Sequence, residues 1–395
     1  MSAVATALDV ARARADTPGC AHVAHFNNAG ASLMPSPVLA AVTGHLDLEA
    51  IIGGYEAAEQ AKPRIERVYA AVGTLLGCDP DEVAVVENAT RAWDMAFYSL
   101  PFAPGDRILT AMAEYASNYI AFLQVARSRG ATVEVIPNDE HGQLSVDALR
   151  RTIDERVKLI AITHVPTNGG LVNPAAAVGA VAREAGIPYL LDACQSVGQM
   201  PIDVGEIGCD MLSATGRKFL RGPRGVGFLY VRRGFVDRLE PPFLDLHAAR
   251  WTARDAFEIA PGARRFENWE SNVAAKIGLG AAVDYALDWG LAAIRDRVYA
   301  LAGLLRARLA EMPAVAVHDL GLEKCGIVTF SPRQATPDAV KQRLREAGIN
   351  VSVTRRPSTR LDMEARGLDE MVRASVHYYN IEDEIDRLCR VLRGS

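Results

Sequence analysis

Cysteine is scarce and scattered. Cys20, Cys78, Cys194, Cys209, Cys325 and Cys389 are the only six in 395 residues, and no two fall at CxxC spacing. That pattern argues against a zinc site or a disulfide scaffold and suits a reducing compartment, so no metal is expected. Long hydrophobic runs are missing too, since no stretch reaches the roughly 18 uninterrupted apolar residues a spanning helix needs. Met1 to Arg14 is Ala-rich and carries Asp9, Arg12 and Arg14, without the basic start and long apolar core of a signal peptide. Basic charge is not in excess: the formal net charge is −5, and Lys and Arg are spread along the chain. No field for nucleic acid results. Repeats and low-complexity linkers are absent. These absences together predict a cytoplasmic protein with neither nucleic-acid nor membrane partners.

A hydrophobic content of 49% supports extensive burial, and 395 residues exceed one typical core. Strand-like runs occur at Val83-Ala84-Val85-Val86, Arg107-Ile108-Leu109-Thr110, Thr132-Val133-Glu134-Val135-Ile136, Leu159-Ile160-Ala161-Ile162, Tyr189-Leu190-Leu191 and Gly227-Phe228-Leu229-Tyr230-Val231. Helical patterns such as Asn118 to Arg129 and Ala175 to Ala185 lie between many of them, as crossover units around a mostly parallel sheet require. After about Phe266 the pattern changes. Long helices are expected from Asn272 to Trp289 and from Leu291 to Met312, then short strands near 327–330 and 349–353, and a last helix over about 382–392. The expectation is an α/β chain: a large domain over 21–265, and a smaller α+β domain over 266–395 joined by 1–20.

Lys218 lies in Thr215-Gly216-Arg217-Lys218-Phe219-Leu220-Arg221-Gly222-Pro223, and Asp192 closes the apolar run Ile187-Pro188-Tyr189-Leu190-Leu191. A strand ending at each suits pyridoxal 5′-phosphate. Its aldehyde needs a lysine amine for a Schiff base, and its ring nitrogen needs a carboxylate to stay protonated. A lysine in a Gly-rich basic loop would alone more often be a solvated residue; the order of Asp192 and Lys218 favours the cofactor. Other candidates follow the strand ends, where ligands collect in open α/β sheets. Backbone N–H groups at Ala89 and Thr90, with the Thr90 hydroxyl, open a helix that can hold a phosphate. Thr215 and Arg217 add phosphate donors. Tyr115 can stack on a planar ring, and Thr167 or Asn168, with Gln195, can hydrogen-bond its phenolic oxygen. His164 reads as structural.

The chain resembles the class V, fold-type I pyridoxal phosphate enzymes, which include cysteine desulfurases, isopenicillin N epimerase-like proteins and cysteine C–S lyases. The carrying motifs are Phe26-Asn27-Asn28-Ala29-Gly30-Ala31-Ser32, Glu87-Asn88-Ala89-Thr90, Glu114-Tyr115-Ala116-Ser117-Asn118, Thr163-His164-Val165 with Asn173-Pro174, Asp192-Ala193-Cys194-Gln195, Thr215-Gly216-Arg217-Lys218, Phe266-Glu267-Asn268-Trp269-Glu270-Ser271-Asn272 and Arg373-Ala374-Ser375-Val376-His377-Tyr378-Tyr379-Asn380. They span essentially the whole length, and their order is far more specific than any one of them. The resemblance implies a large domain with a mostly parallel seven-stranded sheet. It implies that Arg373 pairs with the substrate α-carboxylate and that Asn28 and Tyr55 lie on the substrate side. It also implies a homodimer in which the segment around Ser271 reaches the partner's phosphate. Relatives often have Gly-Thr there, where this chain has Trp269-Glu270.

Desulfurases carry a catalytic cysteine ahead of the carboxylate arginine. The corresponding stretch, 352–366, has none. Persulfide formation is therefore disfavoured, and β-elimination from a cysteine derivative, with Lys218 as base, is the expected chemistry. Gly53-Gly54-Tyr55-Glu56-Ala57 and Ser358-Thr359-Arg360-Leu361-Asp362 resemble the cystine lyase and hercynylcysteine sulfoxide lyase branch. Transamination or epimerisation is the alternative. A non-catalytic scaffold is argued against by the presence of both Lys218 and Asp192. Arg355, Arg356 and Arg360 form a basic loop that can either stay solvated or meet an acidic substrate group.

Overall fold

Side-chain alternation explains the central sheet. In Val157–Thr163, Ile160 and Ile162 join one buried apolar cluster while Leu159 and Ala161 join the other. Leu191, Leu212 and Phe228 repeat the first side and Leu190, Met211 and Leu229 the second. Successive residues of a strand point to opposite faces, and a sheet covered on both faces takes apolar residues at every position. The chain is seen here as a computed structural model that describes residues 8–394; residues 1–7 and 395 of the expected small domain lie outside it.

Seven strands build this sheet: β1 (Val83–Val86), β2 (Arg107–Ala111), β3 (Thr132–Ile136), β4 (Val157–Thr163), β5 (Tyr189–Asp192), β6 (Met211–Thr215) and β7 (Gly227–Val231). Their order is β1-β7-β6-β5-β4-β2-β3. β7 runs antiparallel to both its neighbours, and every other pair is parallel. The register sets Asp192 at the carboxyl end of β5 between Thr163 and Ser213, where open parallel sheets gather their ligands.

The helices used below are α1 (Ser36–Ile52), α2 (Lys62–Leu76), α3 (Ala89–Phe97), α4 (Ala116–Arg129), α5 (Ala175–Ala185), α6 (Val273–Trp289), α7 (Leu291–Ala310) and α8 (Glu382–Arg393). α6 packs against α1 and α2, so a division at 265/266 runs through one helical layer. Among the described residues no single helix is long and apolar enough to cross a membrane; α6 and α7 meet at 79°.

An exposed hairpin, β8 (Ala249–Ala253) with β9 (Ala256–Ile259), occupies a stretch without a strand expectation and carries Trp251 at 79% exposure. Beyond α7, β10 (Val315–Val317), β11 (Ile327–Pro332), β12 (Ser352–Arg355) and β13 (Glu370–Ser375) form an antiparallel sheet ordered β10-β11-β13-β12. Arg373 lies on β13, opposite Thr329 on one side and Ser352 on the other.

Candidate active site

β6 ends at Thr215, and the turn that follows delivers Lys218. Two backbone bonds close this turn, Arg221 N–H to the Lys218 carbonyl at 2.9 Å and Gly222 N–H to the Gly216 carbonyl at 2.8 Å. Arg221 adopts a left-handed φ of 62°, uncommon for a side-chain-bearing residue, and its buried guanidinium holds it there. Nε donates to the Leu33 carbonyl at 3.0 Å and Nη1 to the Tyr378 hydroxyl at 2.7 Å. The loop also passes against Gly198, at φ 90°, where a Cβ would meet Leu220 N and Phe219 C at 2.5 Å. The half-buried Lys218 thus sits on an anchored turn. Burial pushes its amine below the ordinary lysine range, the charges of Cys194 and Asp192 oppose this, and Arg217 and Arg373 add to it.

Asp192 is buried, and two donors fix its carboxylate: Cys194 N–H to Oδ1 and Asn118 Nδ2 to Oδ2, each at 2.9 Å. Asn118 also donates to Glu114 Oε1 at 2.8 Å. Glu114 and Asn118 stood in a recognised motif without a role. Their i, i+4 spacing at the start of a helix was the available signal, since such residues share a face.

At the other end of the site, Asn88 caps α3 by accepting from Arg91 N–H at 2.9 Å. The N–H groups of Ala89 and Thr90 remain at the helix start, where an anion is favoured. Gly227 makes this approach possible, because a Cβ there would meet Ala89 N at 2.9 Å. Thr215 is buried beneath, and Arg217 turns its Nη1 to the Gly30 carbonyl at 2.6 Å. Ser271 lies on the surface, lining a cavity of about 60 Å³ with Glu87 and Gly225 of its own chain.

The structure separates the substrate-side candidates. Arg373 is buried, donating through Nη1 to the Thr167 carbonyl at 3.0 Å and hydroxyl at 2.7 Å, with Nη2 at 3.5 Å from Asn27 Oδ1. Gln195 Nε2 reaches Thr167 Oγ1 at 3.3 Å. Thr167, Gln195 and Arg373 therefore form one group. Of the two alternatives Thr167 and Asn168, Asn168 does not join it: its Nδ2 donates to Thr359 Oγ1 at 2.8 Å and its Oδ1 accepts from Thr354. Its amide ties the loop after β4 to the 354–359 segment. Asn28 is likewise engaged within the chain. Its Nδ2 holds the Ser375 carbonyl at 2.7 Å and its Oδ1 takes the Tyr379 hydroxyl, so the neighbouring Asn27 is the one that meets Arg373. Tyr55 stands 77% exposed on the helix after α1 and does not line the site of its own chain. Tyr115, half-buried, precedes α4 and donates its N–H to Glu114 at 2.9 Å.

The basic loop is neutralised. Arg355 meets Asp338 at 2.6 Å, Arg356 meets Asp369, and Arg360 meets Glu364 at 2.6 Å. Such partly exposed pairs contribute little to stability, but they leave these cations without a call for an acidic ligand. Replacing any one of the three by Ala is expected to change KM for acidic and neutral substrates alike by less than about twofold. A selective rise for acidic substrates would restore the recognition role.

Several buried polar atoms of this region have no hydrogen-bond partner among the described residues: Gln195 Oε1, Ser213 Oγ, His164 Nδ1 and Arg373 Nε. Unmatched buried polar atoms are rare in folded proteins. An amine, a fixed carboxylate, a helix start with free N–H groups and these orphaned atoms together suit pyridoxal phosphate, with Lys218 at its aldehyde, Asp192 at its ring nitrogen and Ala89, Thr90 and Thr215 toward its phosphate.

Residues 24–388 match the family model for class-V aminotransferases. A probable cysteine desulfurase of Methanothermobacter thermautotrophicus is 29% identical over 386 residues, covering 96% of each chain. One of Halalkalibacterium halodurans is 31% identical over 350 residues, covering 86% of this chain and 81% of the relative. Among solved structures, the apo cysteine desulfurase of Thermococcus onnurineus NA1 superposes with a TM-score of 0.91 at 26% identity, covering 100% of this chain and 99% of the other. A cystine C–S lyase bound to its product cysteine persulfide shares the fold, with a TM-score of 0.84 at 24% identity over 95% of this chain and 99% of the other.

Proposed function

This chain belongs to the class-V aminotransferase family and is a pyridoxal-phosphate-dependent enzyme of the C–S lyase type, and we propose that it carries out β-elimination on a cysteine derivative such as cystine or an S-substituted cysteine sulfoxide. The observation that carries this reading is a missing thiol. β12 pairs with the strand that bears Arg373, and the segment from Ser352 to Arg366 contains no cysteine. Cys194, which lies near Lys218, comes two residues after Asp192 in the chain, and burial and the Asp192 charge hold its proton far above the ordinary thiol range. Only a thiolate attacks sulfur effectively. The 352–366 segment therefore offers no thiol to accept a persulfide, and in the proposed reaction the sulfur fragment leaves to solvent.

Pyridoxal phosphate, when bound, supplies the electron sink that makes the substrate's Cα proton acidic. Asp192 holds the proton on the ring nitrogen. Arg373 orients the substrate α-carboxylate, Thr167 fixes Arg373, and Gln195 would hydrogen-bond the ring's phenolic oxygen. Lys218 Nζ then takes the Cα proton. The Cβ–S bond breaks with its electron pair going to sulfur, a persulfide anion departs from cystine or a sulfenate from an S-substituted cysteine sulfoxide, and the unsaturated amino acid that remains reacts with water to give pyruvate and ammonium. The reading includes a homodimer, for which Ile51, Tyr55, Trp251 and Leu246, each at least 70% exposed, are candidate contact residues. Tyr55 and Ser271 would then act on the partner's site.

The test is to mix the holoenzyme with cystine and with S-substituted cysteine sulfoxides in the absence of any amino acceptor. Pyruvate and the sulfur product are expected in equal amounts. A keto acid that forms only when an acceptor is supplied would make it an aminotransferase, and loss of Cα configuration without pyruvate an epimerase.

A further inference from the structure

The carboxylate of Glu114 is an expensive thing to bury next to another acid. Glu114 is 4% exposed and so is Asp192, and two like charges in a low-dielectric interior destabilise each other. Five donors converge on Glu114. Oε1 accepts from Tyr115 N–H at 2.9 Å, Asn118 Nδ2 at 2.8 Å and the Thr163 hydroxyl; Oε2 accepts from the Thr110 hydroxyl at 3.0 Å and Thr163 N–H at 3.0 Å. Three of these are N–H groups, which can only donate. Burial pushes the carboxyl up, to about 7, with Asp192 adding to the rise, while the Thr163, Asn118 and Tyr115 bonds pull it down. The donor set is that of an ionised carboxylate.

One side chain joins the two acids. The Asn118 amide has two N–H bonds, and it gives one to Glu114 Oε1 and the other to Asp192 Oδ2 at 2.9 Å. Its orientation is thereby fixed, and with it the plane of Asp192. We propose that Glu114 is a positioning residue of the cofactor cradle: through Asn118 it sets the orientation of Asp192, and its own negative charge strengthens the hold of Asp192 on the ring-nitrogen proton. This rests on the cofactor reading but not on which reaction follows. The neighbouring titratable groups leave the role to this pair. Tyr189 on β5 and Cys194 after it keep their protons far above neutral pH, and His164 after β4 is held down to about 4 by burial. Lys218, from the loop after β6, is the cation coupled to Asp192 and is joined to the cofactor when it is bound.

The experiment is a pH titration of the visible absorbance of the holoenzyme, with the cofactor dissociation constant measured alongside. Removing a negative charge lowers the proton affinity of everything near it. Glu114→Gln is therefore expected to move the midpoint to lower pH by about one unit and to raise the dissociation constant by about tenfold. Glu114→Asp, which keeps the charge, should keep the midpoint near that of the wild type. A Glu114→Gln protein that binds the cofactor less well with an unmoved midpoint would reduce Glu114 to a structural residue and overturn the proposal. Should that variant fail to fold or to bind cofactor, Asn118→Leu keeps the charge and cuts the bridge. It is expected to weaken the cofactor severalfold with a smaller shift of midpoint, and unchanged affinity would overturn the relay. A wild-type protein that binds no pyridoxal phosphate would fail the cofactor reading itself.

Discussion

The Lys218→Ala protein is expected to bind pyridoxal phosphate yet turn over substrate slower by a factor of at least about 10³. Two roles meet on Nζ in the proposed reaction. It would hold the cofactor through its aldehyde, and it would take the Cα proton of the bound substrate. Methyl can do neither. The surrounding geometry explains why this lysine suits both roles. Burial lowers its pKa, and Arg217 and Arg373 lower it further, so a larger share is the neutral amine near neutral pH than for a solvated lysine. The sign follows: attachment of the aldehyde to the apo protein should slow as pH falls through this lowered pKa. Cofactor retention in the variant is expected because Asp192, Thr215 and the start of α3 do not depend on Nζ. Borohydride treatment followed by peptide mass analysis checks the prediction directly. Cofactor mass should appear on the Lys218 peptide of the wild type and on no peptide of the variant. A labelled peptide elsewhere, or turnover within tenfold of the wild type, would remove Lys218 from the mechanism.

Much of this arrangement was legible in the chain because the strands are short and mostly apolar. The six runs from Val83 to Val231 are six of the seven strands of the large sheet. Met211–Thr215, the seventh, mixes Ser213 and Thr215 into its run, and those are the residues that face the site. Helix positions carried over well, with α5 at its expected bounds and α7 ending two residues before Met312. The hairpin at 249–259 was not legible. Its burial pattern is exposed at almost every position, so no alternation marks it. Side-chain direction was the other limit. Asn27 and Asn28 are adjacent and identical, and only the fold decides that Asn28 ties Ser375 while Asn27 meets Arg373. Thr167 and Asn168 differ in the same way. Both pairs lie in or beside turns, where no periodicity fixes side-chain direction, and the sequence does not say which of two neighbours faces the ligand. Glu114 was quoted within its motif, but nothing short of the sheet register brings Thr110, Thr163 and Asp192 around it.

Arg373→Lys is expected to lower kcat/KM for a cysteine derivative by about 100-fold, mostly through KM. In the free energy of transition-state binding that is about 2.7 kcal/mol, the scale of one charge-assisted, two-point contact. The reason lies in which edge of the guanidinium is engaged. Nη1 is fully used by the carbonyl and hydroxyl of Thr167. Nε has no partner, and Nη2 has only the long approach to Asn27 at 3.5 Å. Nε and Nη2 form one edge, and a carboxylate fits such an edge with two parallel bonds. Burial and Arg217 lower the pKa of Arg373 to about 10, so it remains a cation at neutral pH. Lysine would keep the charge but could not hold Thr167 and present two coplanar N–H groups at once. The check is a pair of substrates, one with and one without the α-carboxylate. Wild type should discriminate strongly between them, and Arg373→Lys should discriminate about 100-fold less. If both substrates lose equally, Arg373 holds the site together through Thr167, and the carboxylate is bound elsewhere.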